Sequence, residues 1–531
     1  MLSRRLYALF GLLATLTGMA VGHLSASLLN PDSSPVLAVG STVIDATPVS
    51  VKEWAIKAFE TENGNLDKVV LVGSVMAGAL VLAMIGGILT RRSFRLGVGV
   101  LLALVAAATL AALTRPNAEM LDAVPGILTA ITGAAALWWL DRTARGLPID
   151  PRAKSTVEVA KAEAEVAAAS GASETPPTRR TILIGMGALA GAAAVFGGAG
   201  KWIGSLRARP EDIALPAPAA GEAAGALPVG LEKTVPGITP LQISNANFYR
   251  VDTRLDTPVV SSNGWTLTVD GDVENKLSIS FDELLEMPMV ERDITLTCVS
   301  NSVGGKYVGG ARWLGVPLKD ILDRAGVGTT ADQILQTDFD GMTISTPLDL
   351  ATDGRDALLA VGMNGVQLPR EHGFPVRMVI PGLYGFISAT KWLTKLTLTT
   401  YADQEAYWTR KTWATDAPIK PSARIDTLKA LQEIPAGKEN LLGGVAWAQN
   451  DGGVDTVQIQ IDGGAWTDAM LGPDVGNVYW RQWYLPWTPK AGTHTIKARA
   501  TTNDGTTQTD VRAEPFPEGS SGIHTLFITA S

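Results

Sequence analysis

Five long apolar runs, at residues 6–29, 69–90, 96–113, 120–140 and 181–200, fill most of the first two hundred positions and constrain everything after them. Each is long enough to cross a hydrocarbon layer about 30 Å thick as a helix. The short flanks predict an orientation. Arg4 and Arg5 precede the first run, Arg91, Arg92 and Arg95 separate the second from the third, and Arg142 and Arg145 follow the fourth, so alternation gathers the basic flanks on one side. The loop between the first two runs mixes Asp45, Lys52, Glu53, Lys57, Glu60, Glu62, Asp67 and Lys68, which suits the other side. Residues 1–204 thus read as a five-span membrane bundle with a cytoplasmic linker at 141–180, and residues 205–531 lie outside the cytoplasm. Within the linker, 157–169 is an Ala/Glu/Lys stretch with helical propensity.

The bundle itself carries little chemistry. His23 is the one histidine in any run, and no acid or base sits in the middle of one, which argues against a haem ligated from both sides, an ion pathway or a transporter. Gly187 and Gly191 in the fifth run have the small-xxx-small spacing of close helix packing. The bundle reads as an anchor, or as a docking surface for an electron carrier. With 44 Lys+Arg against 52 Asp+Glu, net charge −8, the chain lacks the basic excess that nucleic acid requires.

After a Pro/Ala/Gly-rich tether at 205–240 the pattern changes to alternation. Residues 265–271, 292–298 and 376–381 read as strands, with short helices at 281–286 and 318–325 between them, giving a mixed α+β domain over 241–430. From about 431 to 531 the pattern is all β. Val457, Ile459 and Ile461 alternate with Gln458 and Gln460, turns at Gly463-Gly464 and Asn503-Asp504-Gly505 punctuate the strands, and an immunoglobulin-like sandwich is the expected fold.

Two segments can carry chemistry. The only cysteine, Cys298, ends a strand and enters the loop Thr295-Leu-Thr-Cys-Val-Ser-Asn-Ser-Val-Gly304-Gly305. With no second cysteine there is neither a disulfide nor a cysteine-built metal cage, yet a lone thiolate is still a good ligand to a metal that brings other donors. A lone cysteine is also commonly just a small buried hydrophobe. The second segment, 358–392, combines His372, Arg377 at a buried strand, and a Gly-rich turn leading to Ser388 and Lys391, a set suited to an anionic cofactor.

The Thr-Leu-Thr-Cys-Val-Ser-Asn loop, the Met363-Asn-Gly … Leu-Pro-Arg-Glu-His-Gly-Phe-Pro-Val-Arg … Pro-Gly run, and Asn247-Phe-Tyr-Arg250 ahead of them resemble the sulfite oxidase family of molybdopterin oxidoreductases, in its membrane-bound bacterial branch. The resemblance covers roughly 244–531, since the terminal domain also resembles that family's dimerisation domain. It implies molybdopterin with molybdenum as cofactor, Cys298 as the thiolate ligand of the metal, and cofactor contacts at Tyr249, Arg250, Thr337, His372, Arg377, Ser388 and Lys391, with Arg250 also the candidate catalytic cation. It implies two-electron oxygen-atom transfer on a small substrate, an electron partner or quinone, and a possible homodimer through the C-terminal domain. Animal members carry an arginine pair where this chain has Ser302 and Val303, and a substrate-site tyrosine where it has Met342, so sulfite is not the expected substrate. The competing reading is a metal-free, membrane-tethered binding or scaffold module on the same fold. Thr178-Arg179-Arg180 before a weakly hydrophobic fifth run has the look of a twin-arginine export signal, against the plain alternative of positive-inside anchoring.

Overall fold

The computed structural model describes residues 3–48, 51, 66–115, 118–145, 147, 179–207, 211–254 and 257–531. The chain divides into two compact units, one of residues 1–209 with 252–256, the other of 210–251 with 257–531.

In the first unit the helices are α1 (Arg4–Leu28), α2 (Pro35–Ala46), α3 (Leu66–Thr90), α4 (Phe94–Leu113), α5 (Val124–Arg145) and α6 (Arg179–Arg207). All but α2 contain a stretch long and apolar enough to cross a membrane. Glycine lets two pairs of them touch backbone to backbone: a Cβ on Gly11 of α1 would lie 2.0 Å from the Ala83 carbonyl oxygen of α3, and one on Gly18 would lie 2.6 Å from that of Thr129 in α5. The expected packing pair Gly187 and Gly191 does not do this, because nothing lies within 4 Å of a Cβ built at either. The linker also begins later than expected. Asp141 is buried in the last turns of α5, where it accepts from the Tyr7 hydroxyl at 3.2 Å and pairs with Arg145 at 2.7 Å. A buried carboxylate has to be paired in this way, so 141–145 belong to the bundle. The expected helical stretch at 157–169 and residues 52–65 of the loop between the first two runs lie outside the described residues.

The second unit opens with the Pro/Ala/Gly-rich stretch, which lies along the domains that follow. The Ala219 amide donates to the Met289 carbonyl (2.8 Å), Arg312 Nη2 to the Gly225 carbonyl (2.6 Å) and the Leu231 amide to Gln482 Oε1 (2.8 Å). Residues 211–240 are therefore a strap rather than a free tether.

The central domain contains β1 (Thr266–Gly271), β2 (Leu277–Ser280), β3 (Val290–Thr297), β4 (Val308–Pro317), β5 (Gln333–Asp338), β6 (Thr343–Pro347), β7 (Leu358–Met363), β8 (Val366–Gln367), β9 (Arg377–Val379) and β10 (Leu393–Thr399). Helices α7 (Phe281–Glu286), α8 (Leu318–Ala325), α9 (Leu348–Thr352) and α10 (Gly385–Ser388) intervene, α7 beginning at a reciprocal Ser280–Glu283 cap. One sheet runs β2-β1-β10-β5-β6, with β1 and β10 parallel; the other runs β3-β4-β7-β8, with β9 added to β7. This is the expected mixed α+β architecture. In the second sheet β7 is buried on both faces, as the unbroken apolar run Leu358–Met363 requires, and Ile294, Leu296, Trp313, Ala360 and Phe374 share one core.

Beyond it lie β11 (Ser422–Ile425), β12 (Glu433–Ile434), β13 (Asn440–Trp447), β14 (Val454–Ile461), β15 (Thr467–Asp468), β16 (Met470–Leu471), β17 (Arg481–Trp487), β18 (Gly492–Thr502) and β19 (His524–Ala530). They form sheets β11-β13-β17-β16 and β12-β19-β18-β14-β15. Leu442 and Trp483 from one sheet and Val457, Ile459 and Ile496 from the other close a single core. Period-two alternation in β14 and β18 produces that inner face directly.

Candidate active site

Cys298 stands where β3 ends. Its amide donates to the Tyr307 carbonyl at 2.9 Å, its carbonyl accepts from the Asn301 amide at 3.0 Å, and Asn301 Oδ1 accepts from the Tyr307 amide at 2.9 Å. The loop then returns to β4 through Gly304, whose φ of +82° few other residues hold. The thiol is 7% exposed; burial pushes its pKa up, against hydrogen bonds from Ser300 and the charge of Lys391.

The second segment is folded around Gly373. At φ +112° it ends the turn Arg370–His372, and a Cβ there would lie 2.9 Å from that of Lys391 and 3.1 Å from that of Arg377. Only glycine lets His372, Arg377 and Lys391 crowd together. His372 Nε2 lies 2.7 Å from the Asn245 carbonyl, so that nitrogen carries the proton, and burial, reinforced by Arg377 and Lys391, lowers its pKa to about 4. Arg377 is 5% exposed with its guanidinium 5.0 Å above the Trp313 ring. It donates only to backbone carbonyls, those of His372 (3.1 Å), Ala389 (3.4 Å) and Met378 (3.4 Å), and burial brings its pKa down to about 10. Lys391 lies over the Trp392 ring at 4.6 Å and reaches the Glu371 carbonyl at 3.5 Å. Tyr249 stacks on Phe248 at 5.1 Å; burial, then the Cys298 thiol, raise its phenol pKa far above the usual range, with Arg377 opposing.

Cys298, Tyr249, His372, Arg377 and Lys391 therefore act on one another electrostatically. The other candidates make contacts of their own. Ser388 is fully buried, and its hydroxyl donates to the Leu383 and Tyr384 carbonyls at 2.9 and 3.0 Å, so its one proton closes the α10 turn. Thr337 lies in β5 of the other sheet, opposite Lys395 of β10. Arg250 Nη1 donates to Thr257 Oγ1 at 2.7 Å. Met342 sits in the β5–β6 turn, its amide held by Asp338 at 2.9 Å.

Sequence reasoning missed Tyr384. Burial raises its pKa to about 12, with Cys298 and Glu518 adding to the shift and a backbone hydrogen bond from Lys420 opposing it, and its ring leaves no room for a Cβ at Gly519. It also missed Arg424, Ser520 and His524, which reach the Cys298 loop from the C-terminal domain. No local signal marks these positions.

The donor set suits an anionic group that carries its own metal ligands. A buried guanidinium with no carboxylate against it needs an anion. The hydroxyls of Thr297, beside Cys298, and Thr390, beside Lys391, are buried without a hydrogen-bond partner. No cluster of three His, Cys, Asp or Glu side chains able to hold a metal ion occurs among the described residues, so a metal at Cys298 must bring most of its ligands with it.

Residues 254–408 match the oxidoreductase molybdopterin binding domain. Mitochondrial sulfite oxidase of Homo sapiens is 30% identical over 267 residues, 41% of this chain and 47% of that protein. A nitrate reductase [NADH] of Solanum lycopersicum is 32% identical over 177 residues, 28% of this chain and 19% of that protein. The chain thus matches less than half the length of either relative. The crystal structure of the sulfane dehydrogenase SoxCD from Paracoccus pantotrophus aligns with 55% of this chain and 81% of its own, at 22% identity and a TM-score of 0.48.

Proposed function

We propose, from the premise that this chain belongs to the sulfite oxidase family of molybdopterin oxidoreductases, that its second unit is a two-electron oxygen-atom-transfer enzyme acting on a small substrate. The cofactor, molybdopterin with molybdenum, supplies the redox chemistry when bound. Cys298 holds the metal through its sulfur, the only thiol in the chain. Arg377 and Lys391 offset the cofactor's negative charge, and the buried Thr297 and Thr390 hydroxyls supply donors. His372, kept neutral by burial, spends its Nε2 proton on Asn245 and so presents Nδ1 as an acceptor. Tyr249 and Tyr384, both held protonated, keep hydroxyl donors near the sulfur while their rings exclude water. Arg250 supplies a cation for substrate or cofactor. The single observation that carries this reading is the buried Arg377, which no carboxylate neutralises. Cys298→Ser tests it: the variant should fold and lose turnover with artificial electron carriers, and full turnover would contradict the assignment.

The unit is anchored by five membrane-spanning helices and works on the extracytoplasmic side, passing electrons to a partner protein or quinone. Support comes from the basic flanks: Arg145 Nη2 donates to the Thr90 carbonyl at 2.9 Å, which joins the α5 and α3 ends carrying Arg142 and Arg91. The C-terminal sandwich is immunoglobulin-like and pairs two chains. Because the cofactor is installed before export, Arg179-Arg180 act as a twin-arginine signal. Changing both to Lys keeps the charge but should leave the second unit protease-protected inside the cell; normal surface exposure would leave only anchoring. The substrate is an S- or N-oxide rather than sulfite, since Ser302 and Met342 offer no charge to a dianion.

A further inference from the structure

Cys298 makes one backbone hydrogen bond to Tyr307, just ahead of β4, and the chain on either side is fastened elsewhere. Three residues before it, Thr295 is held at all three of its polar atoms by residues past 440. Its carbonyl accepts from Gln449 Nε2 at 2.5 Å, its amide donates to the Val478 carbonyl at 3.0 Å, and its hydroxyl oxygen accepts from the Trp480 amide at 2.9 Å. Three residues after it, the Asn301 carbonyl accepts from Ser520 Oγ at 2.6 Å. Further along, the Gly305 carbonyl accepts from Arg424 Nη1 at 2.9 Å. Gly304 rests on the His524 ring, where a Cβ would come within 2.4 Å of Nε2. That ring is fixed in turn, because its Nδ1 accepts from the Ile425 amide of β11 at 3.0 Å.

The holding groups are themselves rigid. Arg424 is 7% exposed, pairs with Asp426 at 2.5 Å and donates to Thr239 Oγ1 of the strap at 2.8 Å. Its third arm, on Gly305, is therefore aimed by two other bonds. An ordinary interface between two domains has polar contacts scattered over its area. Here they converge on both flanks of one residue.

We propose that the C-terminal domain is a clamp that positions the Cys298 sulfur, with Arg424 and Ser520 as the positioning residues. This rests on the reading of Cys298 as the metal's thiolate ligand. The sulfur sits midway between two anchor points on another domain, and its distance from a bound metal follows the docking of that domain. Loss of an anchor frees the 299–305 loop without removing any group that touches the cofactor. The sandwich is then part of the redox site at one remove, in addition to any role in pairing chains.

Because Cys298 is the only cysteine, its alkylation rate reports this loop with no background. The full chain is purified in detergent from a host that makes no molybdopterin and labelled with iodoacetamide. Wild type should react slowly. Ser520→Ala and Arg424→Gln should react about tenfold faster, the factor that about 1.4 kcal/mol of lost hydrogen bonding gives to a local opening equilibrium. Ser520→Thr, which keeps the hydroxyl, should restore the slow rate. Arg499→Gln, in β18 where its guanidinium contacts Gln458 and Trp466, should leave it unchanged. In cofactor-loaded protein, Ser520→Ala should alter the Mo(V) electron paramagnetic resonance signal at unchanged molybdenum content. If Arg424→Gln does not fold, Ser520→Ala still decides. Labelling at the wild-type rate in folded Ser520→Ala overturns the clamp. A wild-type chain that binds no molybdenum overturns the functional reading instead, and leaves the labelling comparison standing.

Discussion

Two arginines lie at similar depth in two parts of the second unit. Arg424, in the C-terminal sandwich, meets Asp426 at 2.5 Å; Arg377, in the central domain, meets only carbonyls and the face of Trp313. Burying a guanidinium is costly in both places, and only Arg424 is compensated by the chain itself. A paired buried charge speaks for structure, whereas one left waiting speaks for a ligand of opposite sign. The histidines repeat the contrast. The pKa of His494 is raised by its bond to the Lys490 carbonyl and then by Asp462, 2.7 Å away, while burial drives that of His372 down to about 4.

The sharpest way to break the contrast is to remove both cations from the cofactor-free chain. Arg424→Met strands Asp426 and should cost about 3–5 kcal/mol. Arg377→Met strands no charge, only the carbonyls of His372, Ala389 and Met378, and should cost clearly less stability than Arg424→Met, while the loaded protein loses cofactor. Chemical denaturation of the two variants measures the difference; equal losses would erase the distinction.

A smaller effect follows from pH. In the unfolded chain His372 titrates near its ordinary value of 6.5, and in the folded chain near 4, so the unfolded state binds more protons between those values. Stability should fall as pH drops through that window, by about 2 kcal/mol at pH 5. His494, with a raised pKa, works the other way: its contribution is present at low pH and fades as pH rises through its folded value. Melting temperatures of wild type and His372→Gln at pH 7 and 5 test this, and a wild-type slope that survives in His372→Gln would assign it elsewhere.

The smallest expected change concerns substrate. Ser302→Arg places a cation in the Cys298 loop and should lower KM for sulfite about tenfold, the worth of one charge-assisted hydrogen bond. An unchanged KM would show that position 302 does not face the substrate.

What the sequence revealed and what it hid follow from the range of the interactions. The five long helices were legible because twenty apolar residues in a row are a local property. The Cys298 loop and the 369–391 segment were legible because each keeps its key residues within one short stretch. The strap, Asp141 and Arg424 were not, since their partners lie far along the chain, 119 positions in the case of Arg424 and Gly305. Ser388 shows a related limit. A serine after a Gly-rich turn suits phosphate binding and turn closure equally well, and its hydroxyl bonds to the Leu383 and Tyr384 carbonyls are not legible from the sequence.

The central claim is that the buried cation and the lone thiol await a molybdenum cofactor. Metal analysis of the purified, active full chain, with fluorescence of the released pterin, tests it most directly. About one molybdenum and one pterin per chain are predicted, because one buried thiol and one group of buried cations are available to hold them. Active protein containing stoichiometric zinc, or no metal, would contradict it.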